Sequence, residues 1–162
     1  MLSIIKVEEE GEALRVCIKL FREYFEELNE NLCFQNFDEE LKNPLKKYGK
    51  PKGVLLLAYY DGVAAGCIAF QPIKSYDGTK EDTCEMKRLY VRPQFRKNKI
   101  AEALVKDLLQ KAKEKDYKKM VLDTLERLQP AIKLYQRYGF KNTSAYYENP
   151  LPGVVYMEKE LE

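Results

Sequence analysis

The sequence contains no histidine in its 162 residues. This absence excludes the catalytic systems that depend on an imidazole, namely Ser-His-Asp, Cys-His and the HExxH metal motif. It also removes a common partner of cysteine in structural zinc sites. Acid–base chemistry in this chain must therefore come from carboxylates, tyrosine, cysteine, lysine or water.

Cysteine is scarce as well, and the four cysteines lie far apart at Cys17, Cys33, Cys67 and Cys84. A zinc site needs closely spaced ligand pairs, so we predict no metal site. The N-terminal segment has no signal-peptide pattern, which predicts a cytoplasmic protein with buried free thiols rather than disulfides.

Long apolar runs and an excess of charge of one sign are also missing. Lys plus Arg number 28 against 26 for Asp plus Glu, a formal net charge of +2. The composition therefore predicts neither a membrane span nor a membrane or nucleic-acid partner held by overall charge. We find no repeat or linker, and the length suits one domain over residues 1–162.

Hydrophobic periodicity predicts a mixed α/β fold with a largely antiparallel first half. Alternating or β-branched segments predict strands at residues 2–7, 53–60, 63–70, 83–91, 119–125, 140–147 and 154–161. Apolar residues at spacings of three and four predict helices at residues 14–28, 38–41, 100–112 and 130–138. The Asp61-Gly62 pair predicts a hairpin turn.

The most informative stretch runs from Glu85 to Leu104 and reads EMKRLYVRPQFRKNKIAEAL. A strand ends, a basic loop follows, and an apolar helix begins at once. The first turn of a helix offers unpaired N–H groups and a partial positive charge, so a phosphate is favoured there. Neither GxxxxGK[ST] nor GxGxxG is present, and a solvated basic loop is the alternative interpretation.

The same stretch resembles the GNAT superfamily of N-acetyltransferases. Arg88-Leu89-Tyr90-Val91 and Pro93 match the strand that precedes the family's pyrophosphate loop, [QR]-x-x-G-x-[GA]. Arg96 and Ala101 match the two ends of that loop, whereas Lys99 stands where the family usually has glycine.

Downstream, Ala131-Ile132-Lys133-Leu134-Tyr135 followed by Gly139-Phe140 resembles the family's "A..LY...GF" helix and turn. The order and spacing of these short motifs agree over residues 85–162, while the first half matches less specifically. The resemblance implies a GNAT-type mixed, mostly antiparallel sheet of about seven strands flanked by about four helices.

The resemblance also implies an acyltransferase that uses acetyl-CoA as its cosubstrate. Main-chain groups of one strand would pair with the pantetheine arm, and N–H groups of the loop would hold the pyrophosphate. The implied cofactor-binding residues are Leu89, Tyr90, Val91, Arg96, Lys97, Asn98, Lys99, Ile100 and Ala101.

Lys99 raises a conformational question, because a lysine at a position that needs positive φ costs stability or crowds the phosphate. In a helical conformation its N–H group would remain and its ammonium would add a counter-charge. We expect the helical conformation, since Lys97 also replaces a common glycine and the whole loop has become more charged.

Two residues are candidates for the chemistry of acetyl transfer. Tyr135 matches the family position whose hydroxyl lies beside the CoA sulfur, and a phenol with a pKa near about 10 is protonated at neutral pH. Glu85 matches a strand position where some family members carry a general base. A core aromatic and a surface carboxylate are the respective alternatives.

The acceptor is expected to be an amine of a small polar molecule, acetylated by direct transfer in a ternary complex. Phe34, Tyr146, Tyr147 and Asn149 are candidate substrate-binding residues, although all four could equally serve loop packing. A non-catalytic acyl-CoA-binding module is the alternative function. Exposed strand edges near the C-terminus also suggest a homodimer.

Overall fold

The computed structural model describes residues 1–32, 35–73 and 82–162. Its strands are β1 (Leu2–Lys6), β2 (Val54–Tyr60), β3 (Val63–Ile73), β4 (Thr83–Val91), β5 (Lys119–Leu125), β6 (Lys141–Asn142) and β7 (Val154–Glu160). Its α-helices are α1 (Glu12–Leu28), α2 (Phe37–Lys42), α3 (Leu45–Tyr48), α4 (Ile100–Glu114) and α5 (Gln129–Arg137). A 3₁₀ turn at Pro93–Phe95 follows β4.

The strands form one sheet in the order β1-β2-β3-β4-β5-β7-β6. Its neighbouring strands are antiparallel except β4 and β5, which run parallel. The expected mixed, mostly antiparallel sheet of seven strands is therefore confirmed. The core residues of α1, α2 and α3 belong to one apolar cluster, and those of α4 and α5 belong to another.

Two local expectations need correction. The described part of the chain has five α-helices rather than about four, because Pro44 follows an extended Asn43 and separates α2 from α3. The strand predicted at residues 140–147 is only two residues long, Lys141–Asn142. Tertiary contacts override the β-propensity of its aromatic residues, since the hydroxyls of Tyr146 and Tyr147 donate to carboxylates on β4 and β5.

The pairing between β4 and β5 is short. It covers only Thr83 to Glu85 opposite Lys119 to Val121. Beyond that point β5 remains paired with β7 as far as Leu125, whereas the rest of β4 remains paired with β3 alone. The two parallel strands therefore part, and the edge of β4 over residues 86–91 is left without β5 as its neighbour.

A bulge in β4 accompanies this parting. The pairing with β3 shifts from Cys67 opposite Tyr90 to Ala69 opposite Lys87, so β4 carries one extra residue. Arg88 lies in that interval in the left-handed region, with a φ of 63°. A bulge of this kind bends the strand and redirects its side chains.

The Arg88 side chain forms a buried ion pair with Glu40 of α2. Its Nε and Nη2 donate to the two carboxylate oxygens at 2.8 and 2.9 Å, and the side chains are only 1% and 0% exposed. Burial alone would raise the pKa of Glu40, but the hydrogen bonds and charges of Arg88 and Lys47 outweigh it and lower the pKa. The pair therefore connects the bulge to α2.

Glu40→Gln is expected to lower the free energy of unfolding by about 3 kcal/mol, because it leaves the Arg88 guanidinium buried without its counter-charge. Urea denaturation followed by circular dichroism measures the change. Glu39→Gln is the matched control, since Glu39 pairs with Lys42 at the surface and both side chains are more than 70% exposed. Equal midpoints for the two variants would contradict the prediction.

Candidate active site

A cavity of about 660 Å³ occupies the gap where β4 and β5 part. Its walls come from both strands, the C-terminal half of α1, the N-terminus of α4 and one side of α5. Of the residues singled out from the sequence, it is lined by Leu89, Tyr90, Val91, Arg96, Lys97, Lys99, Ile100, Ala101, Tyr135 and Asn149. Phe34 lies outside the described residues.

The first turn of α4 faces this cavity through Ile100 and Ala101. No side chain caps the helix, so its first N–H groups lack the hydrogen bond that a capping residue would supply. The neighbouring Lys97 and Lys99 are exposed and also line the cavity. Helix N–H groups and two ammonium groups therefore lie together where the sequence predicts an anion to bind.

The expectation of a helical Lys99 is wrong. Its φ and ψ are 61° and 25°, which places it in the left-handed region. Lys97 also has a positive φ, 71°. The chain must reverse between the 3₁₀ turn and α4 within four residues, and a non-glycine residue in this region costs roughly 1–2 kcal/mol. Both lysines therefore occupy the strained conformation that glycine adopts without cost.

Asn98 does not line the cavity but stabilises the loop. Its Nδ2 donates to the carbonyl oxygens of Phe95 and Arg96 at 2.9 and 3.4 Å. These bonds hold the turn that separates the two strained lysines. Asn98 therefore stabilises the backbone of the loop that leads into α4.

The arginines of the basic stretch already have carboxylate partners on α1. Arg92 donates to both oxygens of Glu23 at 2.9 and 2.8 Å and to the carbonyl oxygen of Ala64 at 3.0 Å. Arg96 donates to both oxygens of Glu27 at 2.7 Å and to the carbonyl oxygen of Val91 at 2.9 Å. These contacts connect α1 to the end of β4 and hold both guanidinium groups.

Tyr135 is held in the cavity wall by the end of α5. Gly139, with a φ of 93°, ends the helix, so that the Phe140 N–H donates to the Tyr135 carbonyl oxygen at 3.0 Å. The Phe140 ring packs edge-on against the tyrosine at 5.9 Å between centroids. Burial raises the pKa of the Tyr135 hydroxyl, which therefore remains protonated at neutral pH.

Glu85 lies next to the cavity without lining it. Gln71 Nε2 donates to one carboxylate oxygen at 2.9 Å, and the Tyr146 hydroxyl donates to the other at 2.5 Å. The Lys87 ammonium is 3.9 Å from that second oxygen. Both oxygens of Glu85 are thus satisfied by the protein itself.

The structure brings Asp123 of β5 into the cavity wall, a residue that the sequence patterns did not single out. The Tyr147 hydroxyl and Asn149 Nδ2 both donate to its Oδ2, the second at 2.7 Å. Lys87 lies 3.7 Å from its Oδ1. The only sequence signal was an aspartate directly after three apolar residues, Met120 to Leu122, in the predicted strand.

Lys87 is almost fully buried between the two carboxylates, with its side chain 6% exposed. Burial lowers the pKa of its ammonium, an effect that the charges of Glu85 and Asp123 oppose. Tyr146 and Tyr147 donate to those carboxylates but do not themselves line the cavity. Asn149 also donates to Asp123, but unlike the two tyrosines it lines the cavity.

Comparison with known proteins identifies the family. The profile of the acetyltransferase (GNAT) family matches residues 15–140. The chain belongs to the GNAT family. An uncharacterized N-acetyltransferase of Schizosaccharomyces pombe is 44% identical over 161 residues, covering 99% of this chain and 94% of the relative. The protein is therefore an N-acetyltransferase of the GNAT family, which uses acyl-CoA.

Solved structures agree on the fold. A GNAT-family acetyltransferase from Staphylococcus aureus superposes with a TM-score of 0.76 at 18% identity, over 99% of this chain and 100% of the other. PaiA N-acetyltransferase from Thermoplasma acidophilum, solved in complex with coenzyme A, has a TM-score of 0.69 at 18% identity, with 99% of each chain covered. At this identity the two structures support the GNAT fold alone.

The chemistry of the cavity lining in this GNAT chain suits an acyl-CoA. The cavity volume, about 660 Å³, is in the range of small-molecule sites. The open edge of β4 can pair with an extended arm, and the uncapped α4 terminus with Lys97 and Lys99 can hold phosphate. Across the described residues, no helix could cross a bilayer and no group of acidic or cysteine side chains could hold a metal.

Lys99→Gly is expected to raise the free energy of unfolding by about 1 kcal/mol, because glycine relieves the left-handed strain. The same change should weaken acetyl-CoA binding about threefold to tenfold, since it removes a phosphate counter-charge. Thermal unfolding and isothermal titration measure the two effects. Asp116→Gly is the control, because Asp116 also has a positive φ, 65°, but lies outside the cavity. Equal acetyl-CoA affinity for the two variants would contradict the role of Lys99 as a phosphate counter-charge.

Glu27→Gln is expected to tighten acetyl-CoA binding about threefold or more, because it removes a negative charge beside the phosphate site and releases Arg96. Isothermal titration at low salt gives the dissociation constant. Glu26→Gln makes the same charge change one residue earlier on α1, at an exposed position outside the cavity. An affinity gain shared by both variants would indicate net charge rather than release of Arg96.

Proposed function

We propose that the protein transfers an acetyl group from acetyl-CoA to the amine of a small acceptor by direct transfer in a ternary complex, within a single domain over residues 1–162. One observation carries the proposal. The open edge of β4, the uncapped end of α4 and the residue Tyr135 all lie at the same cavity.

Acetyl-CoA would be held by backbone more than by side chains. Main-chain groups of Leu89, Tyr90 and Val91 would pair with the pantetheine arm along the free strand edge. The Val91 carbonyl oxygen now accepts from Arg96, so this pairing requires the arginine to share or release that oxygen. N–H groups between Arg96 and Ala101, with the ammonium groups of Lys97 and Lys99, would hold the pyrophosphate, and Asn98 would keep the loop in shape.

Side chains of the protein would then donate and accept the protons that the reaction transfers. The acceptor nitrogen forms a bond to the thioester carbonyl carbon, the carbon–sulfur bond breaks, and the departing sulfur needs a proton. Tyr135 lies in the cavity wall with its pKa raised by burial, so it reaches the reaction in the protonated form and can donate. Release of the sulfur would depend on this donation.

Glu85 as the general base stays a prediction, and two facts weigh against it: its two oxygens are engaged by Gln71 and Tyr146, and it does not line the cavity. Asn149 remains a candidate to contact the acceptor, because it lines the cavity. Tyr146 and Tyr147 would act on the acceptor indirectly, through the carboxylates that they hold.

Tyr135→Phe is expected to lower kcat at least about tenfold, because the departing sulfur loses its proton donor while the ring packing remains. The dissociation constant of acetyl-CoA should stay within about twofold, as no binding contact depends on the hydroxyl. Release of free CoA in the presence of a primary-amine panel measures turnover, and isothermal titration measures binding.

Tyr138→Phe on the adjoining turn, outside the cavity, is the control and should keep full activity. Full turnover of Tyr135→Phe would remove Tyr135 from the mechanism. Acetyl-CoA binding by the wild-type protein without turnover of any amine would favour the alternative of a non-catalytic acyl-CoA-binding module.

A further inference from the structure

The two oxygens of Asp123 are in different environments. Oδ2 accepts from the Tyr147 hydroxyl and from Asn149 Nδ2, whereas Oδ1 has only the Lys87 ammonium at 3.7 Å, beyond hydrogen-bond distance. The Asp123 side chain is 7% exposed and lines the cavity. Among the residues that the structure describes, no group donates a hydrogen bond to Oδ1, so it can accept one from a ligand.

The orientation of this carboxylate is set by a chain of hydrogen bonds. Gln35 Nε2 donates to the Tyr147 hydroxyl at 3.2 Å, and that hydroxyl donates to Asp123. Asn149 is oriented in turn, because its Oδ1 accepts from the Leu151 N–H at 2.9 Å while its Nδ2 donates to the aspartate. Asp123 is therefore held from two sides with one oxygen left over.

The charge at this end of the cavity suits a cation. A single ammonium, that of Lys87, lies between the carboxylates of Glu85 and Asp123 at 3.9 and 3.7 Å. The guanidinium of the following residue, Arg88, donates two hydrogen bonds to Glu40 and so has its own carboxylate partner. An incoming ammonium would supply both the second positive charge and the missing N–H donor.

Beside Asp123 the cavity wall becomes apolar. It continues through leucines that belong to one hydrophobic cluster, namely Leu28, Leu32, Leu125, Leu128 and Leu151. Leu125 is two residues from Asp123 on β5, and residues at this spacing share a face of the sheet. Leu151 adjoins the aspartate through Asn149. A ligand whose charged end reaches Asp123 would thus rest its remaining atoms on leucines.

We infer that Asp123 binds the acceptor as an ammonium ion and receives its proton, and that the acceptor carries this ammonium on an apolar body. The inference rests on the proposed acetyl transfer. It sharpens the acceptor from a small polar molecule to a primary amine with a hydrophobic substituent. It also assigns the base to β5 instead of Glu85 on β4.

The proton balance of the transfer then closes with two residues. Asp123 Oδ1 takes one proton from the ammonium, and the freed electron pair forms the bond to the carbonyl carbon. The carbon–sulfur bond breaks with its electrons on sulfur, which takes the proton of Tyr135. The nitrogen, now carrying a positive charge, loses a second proton that restores Tyr135, and Asp123 passes the first proton to solvent.

The test uses phenethylammonium chloride as the probe and 2-phenylethanol as its neutral partner of nearly the same shape. Saturation-transfer NMR on the full-length protein with CoA measures their affinities, and CoA release measures turnover of the amine. We expect the wild-type protein to bind the amine at least about tenfold more tightly than the alcohol, because only the amine pairs with Asp123.

Asp123→Asn should remove this preference and lower kcat/KM for the amine about a hundredfold or more, the contribution typical of a general base. Glu85→Gln, the matched carboxylate-to-amide change outside the cavity, should lower kcat/KM less than about tenfold. For both variants the dissociation constant of acetyl-CoA should stay within about threefold of the wild-type value.

Equal binding of amine and alcohol by the wild-type protein, no binding of the amine, or an unchanged Asp123→Asn variant would each overturn the inference. So would a larger loss for Glu85→Gln than for Asp123→Asn. If Asp123→Asn does not fold, the relative affinities of the wild-type protein for the amine and the alcohol still test whether the site prefers an ammonium ion. Failure of the proposed function is separate, because it would show in the wild-type protein as absent acetyl-CoA binding or as acetyl-CoA binding without turnover of any amine in the panel.

Discussion

The parallel ladder between β4 and β5 holds for only three residue pairs, and the cavity exists because the ladder stops there. Paired strands would satisfy each other's backbone groups and leave no room between them. Once the strands part, β4 retains β3 and β5 retains β7, so each remains anchored on its outer side. The edge of β4 is thereby left open to pairing with an extended segment.

The bulge at Arg88 joins the parted strand to the first half of the chain. Its left-handed backbone costs energy, which the buried pair with Glu40 and the rings of Phe37 and Tyr24 help to offset. Arg92 and Arg96 extend this connection to Glu23 and Glu27. The arginines of the basic stretch are therefore largely structural, although in the sequence they suggest a phosphate site. Lys97 and Lys99, the two lysines of that stretch that precede α4, lie at the N-terminus of the helix.

Several elements of the site were readable from local patterns, because they depend on neighbours in sequence. The strand at Leu89 and Val91, the start of α4 at Ile100 and the helix stop at Gly139 all use short-range signals. The strained Lys99 was mispredicted, since the turn into α4 sets its φ and the side chain does not. Asp123 was missed because its partners, Lys87 and Asn149, are distant in the chain.

The sequence by itself determined the family and the order of nearly all strands and helices, since periodicity and short motifs encode these locally. The backbone segments that would hold acetyl-CoA stay a prediction from the same motifs. Only the tertiary structure decided which charged groups reach the cavity. It pairs Arg92 and Arg96 with α1, covers Glu85 with Gln71 and Tyr146, and leaves one oxygen of Asp123 open. Electrostatic environment depends on contacts between distant segments, and no local pattern records those contacts.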